Sequence, residues 1–125
     1  MKTKPEILRE TVEHYKTHPR SLAPALDRNS LCACLYAGPN GALCAFSRVV
    51  MREHRHFLVE AKSAQDQFFL GAIADEHLLP AYRGHDPEFW TDVQTIHDDE
   101  SYWQGQEFTR CGEERLAELL TRYSN

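Results

Sequence analysis

Residues 31–48, LCACLYAGPNGALCAFSR, constrain the fold more than any other stretch. Two short apolar runs flank Gly38-Pro39-Asn40-Gly41, where proline fixes φ and glycine or asparagine tolerates positive φ. The stretch reads as a β-hairpin, with strands at about 31–37 and 42–50. A three-residue loop of Pro39, Asn40 and Gly41 ending in a left-handed glycine sets Tyr36 opposite Cys44 and Cys34 opposite Phe46. Side chains alternate along a strand, so Cys32, Cys34, Tyr36, Cys44 and Phe46 share one face. That face collects three of the four cysteines.

Helical signals surround the hairpin. Thr3-x-x-Glu6 is a capping box and Pro5 suits a first turn, opening a helix at about 4–18. Ile7, Leu8, Val12 and Tyr15 lie along its apolar stripe, and Pro19 disfavours helical geometry at His18. Two amphipathic helices are expected at about 52–62 and 64–76, the second capped by Ser63 with Asp66. Asp86-Pro87-Glu88 combines an N-cap, a proline in the first turn and an acid at the positive helix end, and starts a helix at about 87–98. A last helix, at about 110–123, turns Leu116, Leu119, Leu120 and Tyr123 inward. The expected class is α+β, a small hairpin packed against several helices in a single domain of residues 1–125.

Composition narrows the partners. The net charge is −5 and lysines and arginines are scattered among acids, so no basic stripe offers itself to phosphates and nucleic acid is not the expected direct ligand. No run reaches the roughly 18 apolar residues of a membrane span, and MKTKPEILRE lacks the apolar core of a secretory signal. The expected location is the cytoplasm, where the cysteines stay reduced and pack as small hydrophobes.

Three chemistries are open to these residues. Cys32, Cys34, Cys44, His54 and His56 supply five candidate metal ligands within 25 residues. Structural zinc prefers two-residue gaps in a tight knuckle, and a CxC pair on one strand face is strained at a spacing of about 6.5–7 Å. A buried apolar face explains the same cysteines without a metal. Nucleophilic catalysis would use Cys44 or Cys34 with His97 as base and Asp98 or Asp99 orienting it. That requires an exposed thiol of lowered pKa, whereas a mid-strand cysteine facing aromatics has its thiolate disfavoured. Gln94, His97 and Asp98, at i, i+3 and i+4, form a polar ledge that presents itself to a ligand or ties the loop 99–103 to the core. The third chemistry is protein recognition, with Trp90, Tyr102 and Trp103 read as exposed anchors and Asp98, Asp99 and Glu100 as an acidic patch. No cofactor is expected.

Cys34-x-Tyr36, the Pro-Asn-Gly turn, Gly41-x-x-Cys44-Ala45-x-x-Arg48 and the later Phe89-Trp90-x-x-Val93-Gln94-x-x-His97-Asp98 resemble a group of small proteins common in phage and prophage genomes. There the first block reads like CxY, PDG and CAIGR and the second like FLxxLQxxHD. The present chain carries Ser47 for the usual Gly, Asn40 for Asp, and an additional Cys32. The resemblance implies an origin in a phage or mobile element and transfers no catalytic residue. A small protein in that setting is expected to bind and inhibit or redirect a host protein, an anti-defence or anti-CRISPR inhibitor being the sharpest case. Its partner would be a basic, nucleic-acid-handling surface. The alternative is a thiol-dependent enzyme or zinc protein using Cys34 or Cys44 with His97.

Overall fold

Thr3 opens the first helix, α1 (Lys4–Thr17), in the computed structural model, which describes residues 1–19, 44–57 and 73–124. Both halves of the capping box form: Thr3 Oγ1 accepts the Glu6 N–H at 3.3 Å and Glu6 Oε1 accepts the Thr3 N–H at 3.2 Å. Ile7, Leu8, Thr11, Val12 and Tyr15 are buried along one face. Thr11 enters that apolar stripe because its hydroxyl donates back to the Ile7 carbonyl at 2.8 Å and leaves no unmet group. His18 takes extended geometry before Pro19 and ends the helix.

The second helix, α2 (Pro87–Asp98), starts where Asp86 accepts the Phe89 N–H at 2.7 Å. Its buried side is Phe89, Trp90, Val93, Gln94, Ile96 and His97. The third, α3 (Arg110–Arg122), is capped by the Thr109 hydroxyl, which accepts the Gly112 N–H at 3.1 Å, and buries Gly112, Leu116 and Leu119. The α1, α2 and α3 helices pack on one another around a common core.

Between α2 and α3 lies an antiparallel hairpin of β1 (Trp103–Gln104) and β2 (Glu107–Phe108), with Trp103 facing Phe108 and Gln104 facing Glu107. The two-residue loop takes φ 64° at Gly105, the left-handed geometry that tight hairpins require. Trp103 fixes the hairpin to the helices: its indole N–H donates to the Ile96 carbonyl at 2.8 Å and its ring lies 4.8 Å from that of Phe108. Gly112 is the matching device on α3, since a Cβ there would stand 2.6 Å from the Phe108 ring. The chain is thus a small α+β fold with a hairpin packed on helices.

Over 44–50, the described part of the hairpin expected from the turn chemistry, the chain forms no strand. The expected first strand at 31–37 and the start of the second lie outside the described residues. From Cys44 onward the expected strand is replaced by a turn, a 3₁₀ turn at Ser47–Val49 and a single antiparallel bridge between Val50 and Leu78. The Arg48 N–H closes onto the Cys44 carbonyl at 3.1 Å and the Val49 N–H onto that of Phe46 at 3.1 Å, so local bonds take the place of a ladder. Cys44, Ala45, Phe46, Val49 and Val50 are all fully buried, with no alternation of inner and outer faces.

The helix expected at about 52–62 is a 3₁₀ segment over Arg52–Phe57, its remainder lying outside the described residues. Of the one expected at about 64–76, residues 73 and 74 are not helical and Asp75–His77 form a 3₁₀ turn; the earlier part also lies outside. The His77 imidazole Nδ1 accepts the Ala74 N–H at 2.8 Å and holds that turn.

Candidate functional site

The predicted site residues separate into a buried polar seam and an acidic exterior. In the seam, Gln94 Oε1 accepts the Phe46 N–H at 2.9 Å while its Nε2 donates to Asp98 Oδ1 at 2.7 Å. The same carboxylate oxygen lies 2.6 Å from His97 Nδ1, so the imidazole carries its proton on Nδ1 and donates it to Asp98. The Tyr15 ring meets the His97 ring edge-on at 4.9 Å. Gln94 is 5% and His97 0% exposed, so α2 places two polar side chains in the core, and both bond to one half-buried acid, Asp98. The ledge that the spacing predicts is real. Through Gln94 it ties down the Phe46 segment, and Trp103 anchors the following loop instead.

Cys44 is 0% exposed and lies two residues before the amide that Gln94 holds. Burial and the neighbouring Arg52 draw the Arg55 guanidinium below its usual value, and Cys44 opposes them. The runner-up triad of Cys44, His97 and Asp98 therefore has its histidine and acid paired, with thiol and imidazole both closed off from solvent. Of the candidate metal ligands, Cys32 and Cys34 lie outside the described residues. His54 packs its ring at 4.9 Å against His77, and the His56 side chain is not described. Among the described residues no group of three or more histidines, cysteines or acids is placed to hold a metal ion.

Two expected anchors require correction. Trp90 is 0% and Trp103 6% exposed: both are core residues, Trp90 between the rings of Phe46 at 5.7 Å and Phe89 at 5.3 Å. Their helical and strand positions face the apolar layer, where large aromatic rings are buried. Tyr102 is half-buried, with its hydroxyl pushed up by burial and by Asp99. Asp99 turns inward on its own chain, accepting the N–H and hydroxyl of Ser101 at 2.9 and 2.6 Å. Glu100 is exposed.

From Asp98 to Glu118 the chain carries seven acids against two arginines, an excess equal to the net charge of the whole chain. Glu107, Glu113, Glu114 and Glu118 are exposed with Glu100, and the 3₁₀ turn Glu100–Tyr102 packs on α3. Arg110 pairs with Glu114 and Arg115 with Glu118, which leaves Glu100, Glu107 and Glu113 outside any ion pair among the described residues.

A second polar cluster has no counterpart in the sequence reading. Glu10 on α1 accepts the Tyr82 hydroxyl and the Lys2 ammonium, and Arg48 Nη1 at 2.9 Å. Burial works to raise the Glu10 carboxyl, yet the bonds from Lys2, Tyr82 and Arg48 together hold it below the usual carboxylate value. His14, one turn further along α1, is held down to about 4 by burial, with the charges of Arg48 and His18 adding. No local motif announces a cluster whose members span 80 residues.

Acid should therefore loosen the fold. The unfolded chain protonates His14 near its ordinary 6.5 while the native chain resists down to about 4, so the His14 contribution is complete above 6.5 and is lost as pH falls towards 4. Glu10, held low, extends the loss further into acid. Thermal melts from neutral pH downward should show a Tm that declines below about 6.5, with a smaller decline in His14→Asn; equal profiles for the two proteins would contradict this assignment.

Together these features define a small α+β fold that keeps Cys44 and His97 in its interior and Glu100, Glu107, Glu113, Glu114 and Glu118 on its exterior. Comparison with protein-family models, with curated proteins and with solved structures finds no match. Among the described residues no helix is long and apolar enough to cross a membrane.

Proposed function

We propose that this chain is a small cytoplasmic accessory protein of phage or mobile-element type that binds a host protein and inhibits or redirects it. The observation that carries the reading is the gathering of exposed acids in one stretch of chain, Glu100, Glu107, Glu113, Glu114 and Glu118, which also holds the half-buried Tyr102. Such a surface complements a basic one, and nucleic-acid-handling defence proteins are the partner class that best fits it. An anti-CRISPR-like inhibitor is the most specific form of the proposal.

The second reading, thiol chemistry by Cys44 with His97 and Asp98, is favoured by the 2.6 Å imidazole–carboxylate bond. It needs the core to open before substrate reaches either group.

The two readings separate in one experiment. The triple variant Glu100→Lys, Glu107→Lys and Glu113→Lys should fold normally, since none of the three is in an ion pair. Its affinity for the host partner captured by the unaltered protein should fall by about tenfold or more, with the salt dependence reduced. Unchanged affinity would contradict the acidic-stretch reading. Loss of an activity in Cys44→Ser with partner binding intact would favour the enzyme.

A further inference from the structure

Among the described residues the Arg48 guanidinium is bonded on one side only. Its Nη1 reaches Glu10 at 2.9 Å, whereas Nε and Nη2 are shielded from solvent and have no hydrogen-bond partner there. Those two nitrogens form the side-on edge of the guanidinium, where two N–H groups point in parallel at the spacing of the two oxygens of a carboxylate or phosphate. A buried charged donor without an acceptor is costly, and here two stand side by side.

The surrounding charges favour an anion. Among the described residues Glu10 is the one acid bonded to Arg48, and it shares its single negative charge between Arg48 and Lys2. Nearby His14 stays neutral at physiological pH, so the cluster of Lys2, Arg48, Glu10 and His14 carries one surplus positive charge. Tyr82 backs the cluster: its hydroxyl donates to Glu10, and its ring centroid lies 5.9 Å from Arg48 Cζ and 5.1 Å from Lys2 Nζ. An aromatic wall beside a guanidinium excludes water and strengthens any charge pair formed there. Arg48 itself is positioned by the Cys44–Arg48 turn and by α1, both part of the core.

We propose that the free edge of Arg48 is a binding site for a small oxyanion, a carboxylate or phosphate group held by both nitrogens. The site shares no residue with the acidic stretch 98–118, so it stands or falls independently of the partner-binding proposal. A bound anion would offset the charge of Arg48 on His14, which couples occupancy to protonation of that imidazole.

Inorganic phosphate and acetate are the probes, titrated into the full chain at neutral pH with sodium chloride holding ionic strength constant. The Tm of the unaltered protein should rise saturably with at least one of them, and the rise should vanish in Arg48→Lys, which keeps the charge and loses the fork. In case that variant fails to fold, the ¹⁵N and ¹H resonances of the Arg48 Nε–H group are followed in the unaltered protein. They should shift along the same saturation curve, and the His14 pKa should rise with occupancy. Equal Tm increases in both proteins would mark general salt exclusion and overturn the site. An Arg48 Nε–H resonance unmoved by either anion would overturn it as well, assigning the edge to ordered water.

Discussion

Replacing Trp90 by alanine is expected to remove about 3–5 kcal/mol of folding stability. The indole is fully buried, and its ring meets Phe46 on the 44–50 segment, Phe89 on its own helix and His85 on the loop before it. No single neighbour can fill the space, because the three belong to different pieces of chain whose mutual positions the indole sets. Single domains hold about 5–15 kcal/mol in all, so the variant should stand near the edge of folding. Urea denaturation monitored by circular dichroism measures the loss. An exposed anchor at the same position would behave oppositely, with stability changed by less than about 0.5 kcal/mol and partner affinity reduced.

Gln94→Ala is expected to cost about 2–4 kcal/mol, although the residue is polar. Its loss leaves the buried Phe46 N–H without its acceptor, takes one donor from Asp98 and opens space beside His97. Gln94→Glu separates these effects: the carboxylate still accepts from Phe46 but sets a second acid against Asp98, where the amide donates at 2.7 Å. That variant should be destabilised near neutral pH and partly recover in mild acid, when one of the two carboxylates takes up a proton. Equal stability of all three proteins in urea would show that Gln94 does not hold the segment.

Two of the described helices were legible because each announces its start chemically, and the last, Arg110–Arg122, from its inward leucines alone. Thr3 with Glu6 and Asp86 with Pro87 supply caps that act over a few residues, and the buried faces follow at helical spacing. The ledge of Gln94, His97 and Asp98 was legible for the same reason, since i, i+3 and i+4 on a helix share a face. Over 44–50 the expected strand gives way to turns because Phe46, Val49 and Val50 are buried without an exposed alternate face. Such residues fit a sheet or an irregular core segment equally well, and tertiary context decides. The hairpin among the described residues has two-residue strands, too short for an alternating pattern to register, and Gly105 marks its turn. The Glu10 cluster was illegible because Lys2, Arg48 and Tyr82 meet it only after folding, and nothing in their local sequence requires that meeting.

Alkylation of the native protein with iodoacetamide, followed by peptide mapping, tests most directly whether the seam is interior scaffolding. Cys111 is exposed on α3 and Cys44 is buried. Cys111 should be modified at the rate of an accessible thiol and Cys44 only as fast as the chain opens, with Cys44 speeding up in Gln94→Ala. Modification of Cys44 in the unaltered protein as rapid as that of Cys111 would place the thiol in an open cleft beside His97 and contradict the account.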